Sequence, residues 1–396
     1  MITILSSWLL VFIYATKLKV IRRPAFLVVF FVTCFLALLS YAEVILLSPQ
    51  DIFSRLDESY FRDVAGLEFN ELLAEGSRYR VFHVYNFLTY NSLFGWDWAL
   101  KIHLVAFSLL IMLVLYDSIR SIYVIWFFPI VFSYVIFLST LNMRDVVLIF
   151  VTLFSLLYLS RSENLFKKAI WSIVPILFLF YIRPQAAYFY FFVSFWIIFF
   201  ATQRRSIFFS YYLPSALVLS LIIFYLLFGQ LIVNIQIYTP YNLEFYLHDR
   251  SEELQRIPFL GENMTALIRQ IITPLPSSKV GQILVGDMSI NFYFYEMSRS
   301  VMMLAVYALI AYLIFSWRFL SVAFRQNSFL GVLLILAAMY TVAYAIYSDG
   351  GGDSRNKLYP FFLFYLLFFE IIREKRACLK RNLVVPPENN RGDKWK

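Results

Sequence analysis

The chain has 396 residues, of which 61% are hydrophobic, 20% aromatic and only 15% charged. A soluble globular domain is about half apolar and about a quarter charged, so the composition excludes an ordinary soluble enzyme. The net charge of +9 calls for no nucleic-acid partner, because excess lysine and arginine on one side of a membrane accounts for it.

Apolar runs approaching the roughly 20 residues that cross a bilayer predict an all-α polytopic integral membrane protein. In chain order the spans fall near 2–16, 25–48, 102–116, 121–140, 145–160, 168–182, 186–202, 207–228, 300–317, 328–347 and 359–372, about 11 transmembrane helices. The basic residues Lys17, Lys19, Arg22 and Arg23 follow the first apolar stretch instead of preceding it, which is not the order of a secretory signal. Residues 1–372 are expected to form one multi-span domain, and 373–396 a disordered cytoplasmic basic tail, ending in "VVPPENNRGDKWK". Cys34 lies in an apolar run and Cys378 in the tail, so no disulfide framework is implied.

Orientation follows from the loops. One face collects 20 of the 34 lysines and arginines, including Arg120, Arg161, Lys167 and Lys168, but only six acids (Asp117, Glu163, Glu370, Glu374, Glu388, Asp393). The positive-inside rule makes that face, and the C-terminus, cytoplasmic. The expected location is the cytoplasmic (inner) membrane, with the active face outside. Two long loops, 49–101 and 229–299, lie on the outer face. The first carries "LDESYFRDVAGLEFNELLAEG", an amphipathic-helix pattern, then the aromatic-rich "RYRVFHVYNFLTYNSLFGWDW" suited to the headgroup level.

The outer face also collects the polar residues with chemical potential: Asp57 and Glu58, Arg144 and Asp145, Arg183, His248 with Arg250, and Asp353, Arg355 and Lys357. Each has an ordinary structural reading. Asp145 could cap a helix beside an interfacial Arg144; Arg183-Pro184 could be a snorkelling arginine before a first-turn proline. Asp57-Glu58 could simply be the acidic start of an amphipathic helix. The chemical reading joins them. A carboxylate could act as general base toward a sugar hydroxyl or hold a divalent ion such as Mg or Mn, leaving the metal ligands unassigned. Arginines grip a phosphate or pyrophosphate and stabilise it as it leaves. Three scattered histidines and two remote cysteines do not make a zinc site.

"LDESYFRD" after an early span resembles the acidic motif in the first outer loop of the large-membrane-fold (GT-C) glycosyltransferases, which use polyprenyl-phosphate sugars. "LNMRD" resembles their second acidic outer loop, and "GDSRNKLYPFFLF" the arginine-then-proline entry to a late span. "YIRP" is similar to a pattern in O-antigen and capsule polysaccharide polymerases. The resemblance implies a polyprenyl-(pyro)phosphate-linked glycan as substrate, membrane lipid and other polysaccharide-assembly proteins as partners, and an active site at the outer leaflet. It makes Asp57 the base, Glu58 and Asp145 its acidic neighbours, and Arg144, Arg183 and Arg355 phosphate ligands. His248 is an alternative base, and Arg250 and Lys357 are further substrate-binding candidates. An extra short span before the acidic loop and the missing soluble C-terminal domain depart from the family pattern.

Two other classes stay open. A flippase or other transporter would carry polar groups near the bilayer midplane in broken helices; a membrane scaffold would need no convergence of the outer residues.

Overall fold

A computed structural model describes residues 2–46, 97–140, 144–182, 293–316, 328–348 and 354–384, with shorter helical pieces at 70–71 and within 84–89 and 186–198. The described elements are all helices: α1 (Ile2–Lys17), α2 (Pro24–Leu46), α3 (Asp97–Ile119), α4 (Ile122–Val131), α5 (Ser133–Ser139), α6 (Arg144–Arg161), α7 (Leu165–Ile182), α8 (Tyr293–Phe315), α9 (Ser328–Ser348) and α10 (Ser354–Val384). No strand occurs among the described residues. Among the described residues, three helices are long and apolar enough to cross a membrane, over Pro24–Ala42, Lys101–Ile119 and Met297–Phe315, and α4 with α5 makes a fourth if the bent pair is one span. The span expected at 207–228 and both outer loops, apart from fragments at 70–71 and within 84–89 and the starts of α3 and α8, lie outside the described residues.

The bundle is built around α3. It is apolar on every side, and 89% of its apolar stretch is buried; a helix of that kind belongs inside a bundle. It packs against α1, α2, α4, α5, α6 and α10. The surrounding helices turn apolar stripes outward. On α2 these are Leu27, Phe31, Phe35 and Leu38, and on α7 Ile170, Val174 and Leu177, all exposed and spaced three or four residues apart. Water would disfavour surfaces of this extent, and they are compatible with a lipid-facing exterior.

One face of α6 is an aromatic ladder. Phe150, Phe154 and Tyr158 stack at centroid separations of 5.3 and 4.6 Å. Phe107 of α3, Tyr14 of α1 and Trp171 of α7 pack on it at 5.4, 5.6 and 5.5 Å. The i, i+4 spacing puts the three rings on one side of the helix, where Phe150 meets Phe107, Phe154 meets Tyr14 and Trp171, and Tyr158 shares Trp171.

The stretch expected as one span at 121–140 is broken at Phe132, where α4 and α5 meet at 64°. Pro129, inside α4, has no N–H to donate and its ring crowds the preceding turn. The Ser133 hydroxyl donates to the Ile130 carbonyl at 3.0 Å, satisfying backbone at the break. The Phe132 ring then plugs the bend, stacked on Phe362 at 5.1 Å and edge-on to Tyr365 at 4.7 Å, both from α10.

α10 runs on to Val384, so residues 373–384 of the expected disordered tail are helical. Their composition contains no helix breaker before Pro386, and a charged continuation costs a helix little. At the turn after α1, Lys19 takes the left-handed conformation (φ 57°). The Val20 N–H donates to Ala15 O and the Lys19 N–H to Thr16 O, each at 2.9 Å, the pairing of a Schellman C-cap usually built with glycine.

Replacing Phe132 with alanine should destabilise the bundle by about 3–5 kcal/mol, the usual cost of truncating a buried phenylalanine. Unfolding in detergent micelles measures it; a loss below about 1 kcal/mol would show that the bend needs no plug.

Candidate functional site

Side-chain contacts fix the sense of the helices. Lys101, early in α3, donates to the carbonyl of Thr140 after α5 (2.8 Å) and lies 5.5 Å over the Tyr41 ring of α2. Asp117, late in α3, meets Arg161 at the end of α6 and Tyr14 near the end of α1. So α1, α3 and α6 run one way and α2 and the α4–α5 pair return. α10 runs with α3, since its Glu370 meets Ser118 at the Asp117 end while its earlier residues Phe362 and Tyr365 meet Phe132, midway along the α4–α5 pair. The bundle thus has an Arg144 end and an Asp117 end.

At the Arg144 end, Arg144 Nη1 donates to the Ile182 carbonyl at 3.4 Å, at the last residue of α7. Lys101 does the same for the carbonyl that follows α5. Both cations therefore sit on C-terminal helix carbonyls, where the intrahelical ladder has run out and the helix dipole is negative. Asp145, 2% exposed, occupies the first turn of α6, the end at which negative charge is favoured. The adjacent pair is thus placed by two different helices: arginine for the end of α7, aspartate for the start of α6. His103, fully buried on α3, lies at the same end, two residues beyond Lys101.

The residues singled out from sequence divide accordingly. Arg144 and Asp145 stand together. Arg355 and Lys357 lie in the first turn of α10, about 20 Å back along the axis from Glu370 at the rise of an α-helix, which places this turn towards the Arg144 end. Asp57, Glu58, Arg183, His248 and Arg250 lie outside the described residues, although Arg183 directly follows Ile182, the carbonyl that Arg144 holds. Among the described residues no group of three histidines, cysteines or carboxylates is arranged to hold a metal.

The Asp117 end holds what the sequence reading passed over. Asp117 is 2% exposed and is met by three residues, Arg161, Tyr14 and Arg120. Arg161 Nη1 lies 2.9 Å from Oδ2, while its Nη2 donates to the Asp117 main-chain carbonyl, also at 2.9 Å. The Tyr14 hydroxyl donates to Oδ2 at 3.1 Å, and Arg120 Nη2 lies 2.6 Å from Oδ1. The next residue, Ser118, donates to Glu370 Oε1 at 3.1 Å, and Glu370, fully buried, pairs with Arg373 at 2.6 Å. Arg120 holds a left-handed backbone (φ 54°), with its N–H on the Tyr116 carbonyl at 2.6 Å, so the turn that ends α3 also aims the guanidinium back at Asp117.

A signal for this knot exists in the sequence. "DSIR" and "EIIR" each put an acid three residues before an arginine at the end of an apolar run, the spacing that brings both to one helix face. Counting both acids as loop charge hid them. The arrangement saturates its carboxylates with cations of the same chain, which suits a clamp between helices. The Arg144 end, with a buried carboxylate, a buried imidazole and two cations on helix ends, has groups that can bind anions and move protons. It is the better candidate for chemistry.

No family model, curated protein or solved structure matches the chain.

Removing one member of a buried pair leaves the other uncompensated. Asp117→Ala should therefore destabilise the protein by about 3–5 kcal/mol, while Asp117→Leu combined with Arg161→Met should cost clearly less. Denaturant unfolding of the three proteins reads this directly. A double variant that loses as much as Asp117→Ala, or more, would mean that the loss in the single variant does not come from leaving Arg161 uncompensated.

Proposed function

We propose that this chain is a multi-pass membrane glycosyltransferase that uses polyprenyl-linked donors at the outer face and joins lipid-linked oligosaccharide repeats into a surface polysaccharide such as an O-antigen or capsule. The observation that carries the reading is the sorting of polar groups along the bundle. Arg144, Asp145, Lys101 and His103 collect at one end, towards which α10 begins with Arg355 and Lys357.

The orientation supports this. The Asp117 end carries Lys17, Lys19, Arg22, Arg23, Arg120, Arg161, Lys167, Lys168 and Arg373, an excess that the positive-inside rule assigns to the cytoplasm. The Arg144 end then faces outward, as does the side of the two long loops. The eleven-span topology, the C-terminus inside and the inner-membrane location belong to the same proposal.

In the mechanism proposed, Asp57, or His248 in its place, takes the proton of the acceptor hydroxyl as that oxygen attacks the anomeric carbon of the donor sugar. The bond from that carbon to the lipid pyrophosphate breaks, and the pyrophosphate leaves with the electron pair. Arg144, Arg183 and Arg355 stabilise the charge it gains, with Arg250 and Lys357 assisting. Glu58 and Asp145 orient these groups; a divalent cation on the acidic loop would supply further positive charge to the leaving phosphate.

The bend between α4 and α5 favours one second reading, a lipid-linked-sugar flippase, because broken helices are a device of transporters. The two readings differ in where the unpolymerised repeat accumulates.

The test is a deletion strain complemented with wild type, Asp57→Asn, Arg144→Ala or Arg183→Ala, with membrane levels checked. Arg144 caps a helix end worth about 0.3–1 kcal/mol, so Arg144→Ala should stay folded. The expected outcome is a single-repeat product outside the membrane and at least about a hundredfold loss of polymer, the scale of losing a transition-state charge contact. Normal polymer from all three variants would sink the proposed site; repeats trapped on the cytoplasmic side would favour the flippase.

A further inference from the structure

The Asp117 end carries a second feature that the glycosyl-transfer reading does not use. Between the end of α6 and the start of α7 lies an open pocket of about 690 Å³. Tyr158, Arg161, Glu163, Lys167 and Trp171 contribute to its lining. Lys17 of α1 reaches its edge, donating to the Tyr158 hydroxyl at 2.9 Å with Nζ 4.8 Å over the ring. The Tyr158 and Trp171 rings lie 5.1 Å apart and tilted by 32°. Asn164 Oδ1 accepts the Phe166 N–H at 2.9 Å and closes the turn beneath. Arg161 is anchored on Asp117 yet keeps 33% of its side chain exposed.

What lies below the pocket matters as much. Lys167, Trp171 and Val174 follow one another at i, i+4 and i+7, so they form one stripe down α7. The stripe passes from an amine through an indole to an exposed apolar surface, with Ile170, Ile173 and Leu177 exposed on either side. A cationic rim, an interfacial tryptophan and an apolar flank, in that order along one helix, match the layers of one lipid leaflet.

We propose that this pocket binds the phosphate headgroup of an anionic phospholipid of the cytoplasmic leaflet, with Lys167 and Arg161 facing the phosphate, Trp171 at the glycerol level and the acyl chains along Val174 and Leu177. Glu163 on the rim disfavours a freely diffusing polyanion but tolerates a headgroup held in place by its chains. The proposal rests on the membrane reading above and not on glycosyl transfer. Through Arg161 and Tyr158 the bound lipid would brace the same helices that the Asp117 knot ties.

The experiment uses the full chain purified in a neutral detergent. Retained lipid is measured by native mass spectrometry with phosphatidylglycerol and phosphatidylcholine in equal amounts, and unfolding temperature is followed as each lipid, or inorganic phosphate alone, is added. Wild type should retain phosphatidylglycerol preferentially and unfold at a higher temperature with it. Lys167→Gln should lose about fivefold of that preference, the contribution of one lysine near an anionic surface, and Lys375→Gln on α10 should lose none. Equal retention of the two lipids, or an unchanged preference in Lys167→Gln, would overturn the proposal. Stabilisation by inorganic phosphate equal to that by the lipid would overturn the lipid assignment and leave a free-anion site. Alkaline carbonate extraction of cell membranes separates the two failures: a chain released into the supernatant is not integral, and the membrane reading itself falls.

Discussion

A carboxylate with 2% of its surface exposed must be met by positive charge and hydrogen bonds, and the way Asp117 is met determines how α1, α3, α6 and α10 can sit. Tyr14 comes from α1, Arg161 from α6, and Ser118 hands the tie on to Glu370 of α10. Apolar packing alone would let these helices slide, since one leucine stripe fits another in several registers. A guanidinium that must reach both a carboxylate oxygen and a carbonyl of the same residue permits far fewer. Desolvation offsets much of the Coulombic gain of a buried pair, so the knot constrains register more directly than its charge count alone would stabilise the fold.

The opposite end follows from the backbone. Helices that finish inside an apolar bundle leave carbonyls with no partner in their own ladder. Lys101 and Arg144 answer for two of these ends, and Asp145 answers the opposite need at the start of α6. Charge is therefore concentrated at helix ends for reasons of folding before any reaction is considered. An active site in such a bundle would draw on groups already stationed there, which is why a helix-capping arginine and a phosphate-binding arginine can be the same residue.

Between the two ends the bundle is held by shape. The ladder on α6 and the Phe132 plug at the α4–α5 bend place large rings where three helices meet. The bend also explains why a single expected span became two helices. Pro129 was visible in the sequence, but proline is tolerated in many apolar helices, and only the fit of Phe132 against Phe362 and Tyr365 makes a 64° turn the better packing.

The sequence by itself determined that the chain is helical and apolar, and it located α1, α2, α6, α7 and α9 closely, because a long apolar run bounded by charges or proline has few other ways to satisfy its backbone. It also marked Arg144 and Asp145 as a polar junction. Tertiary structure alone decided which helix each of the two serves, that the acids of "DSIR" and "EIIR" are buried and joined through Ser118, and that Tyr158, Lys167 and Trp171 share one pocket. Each of those facts depends on contacts between helices far apart in the chain, and one-dimensional spacing carries information about faces of single helices only.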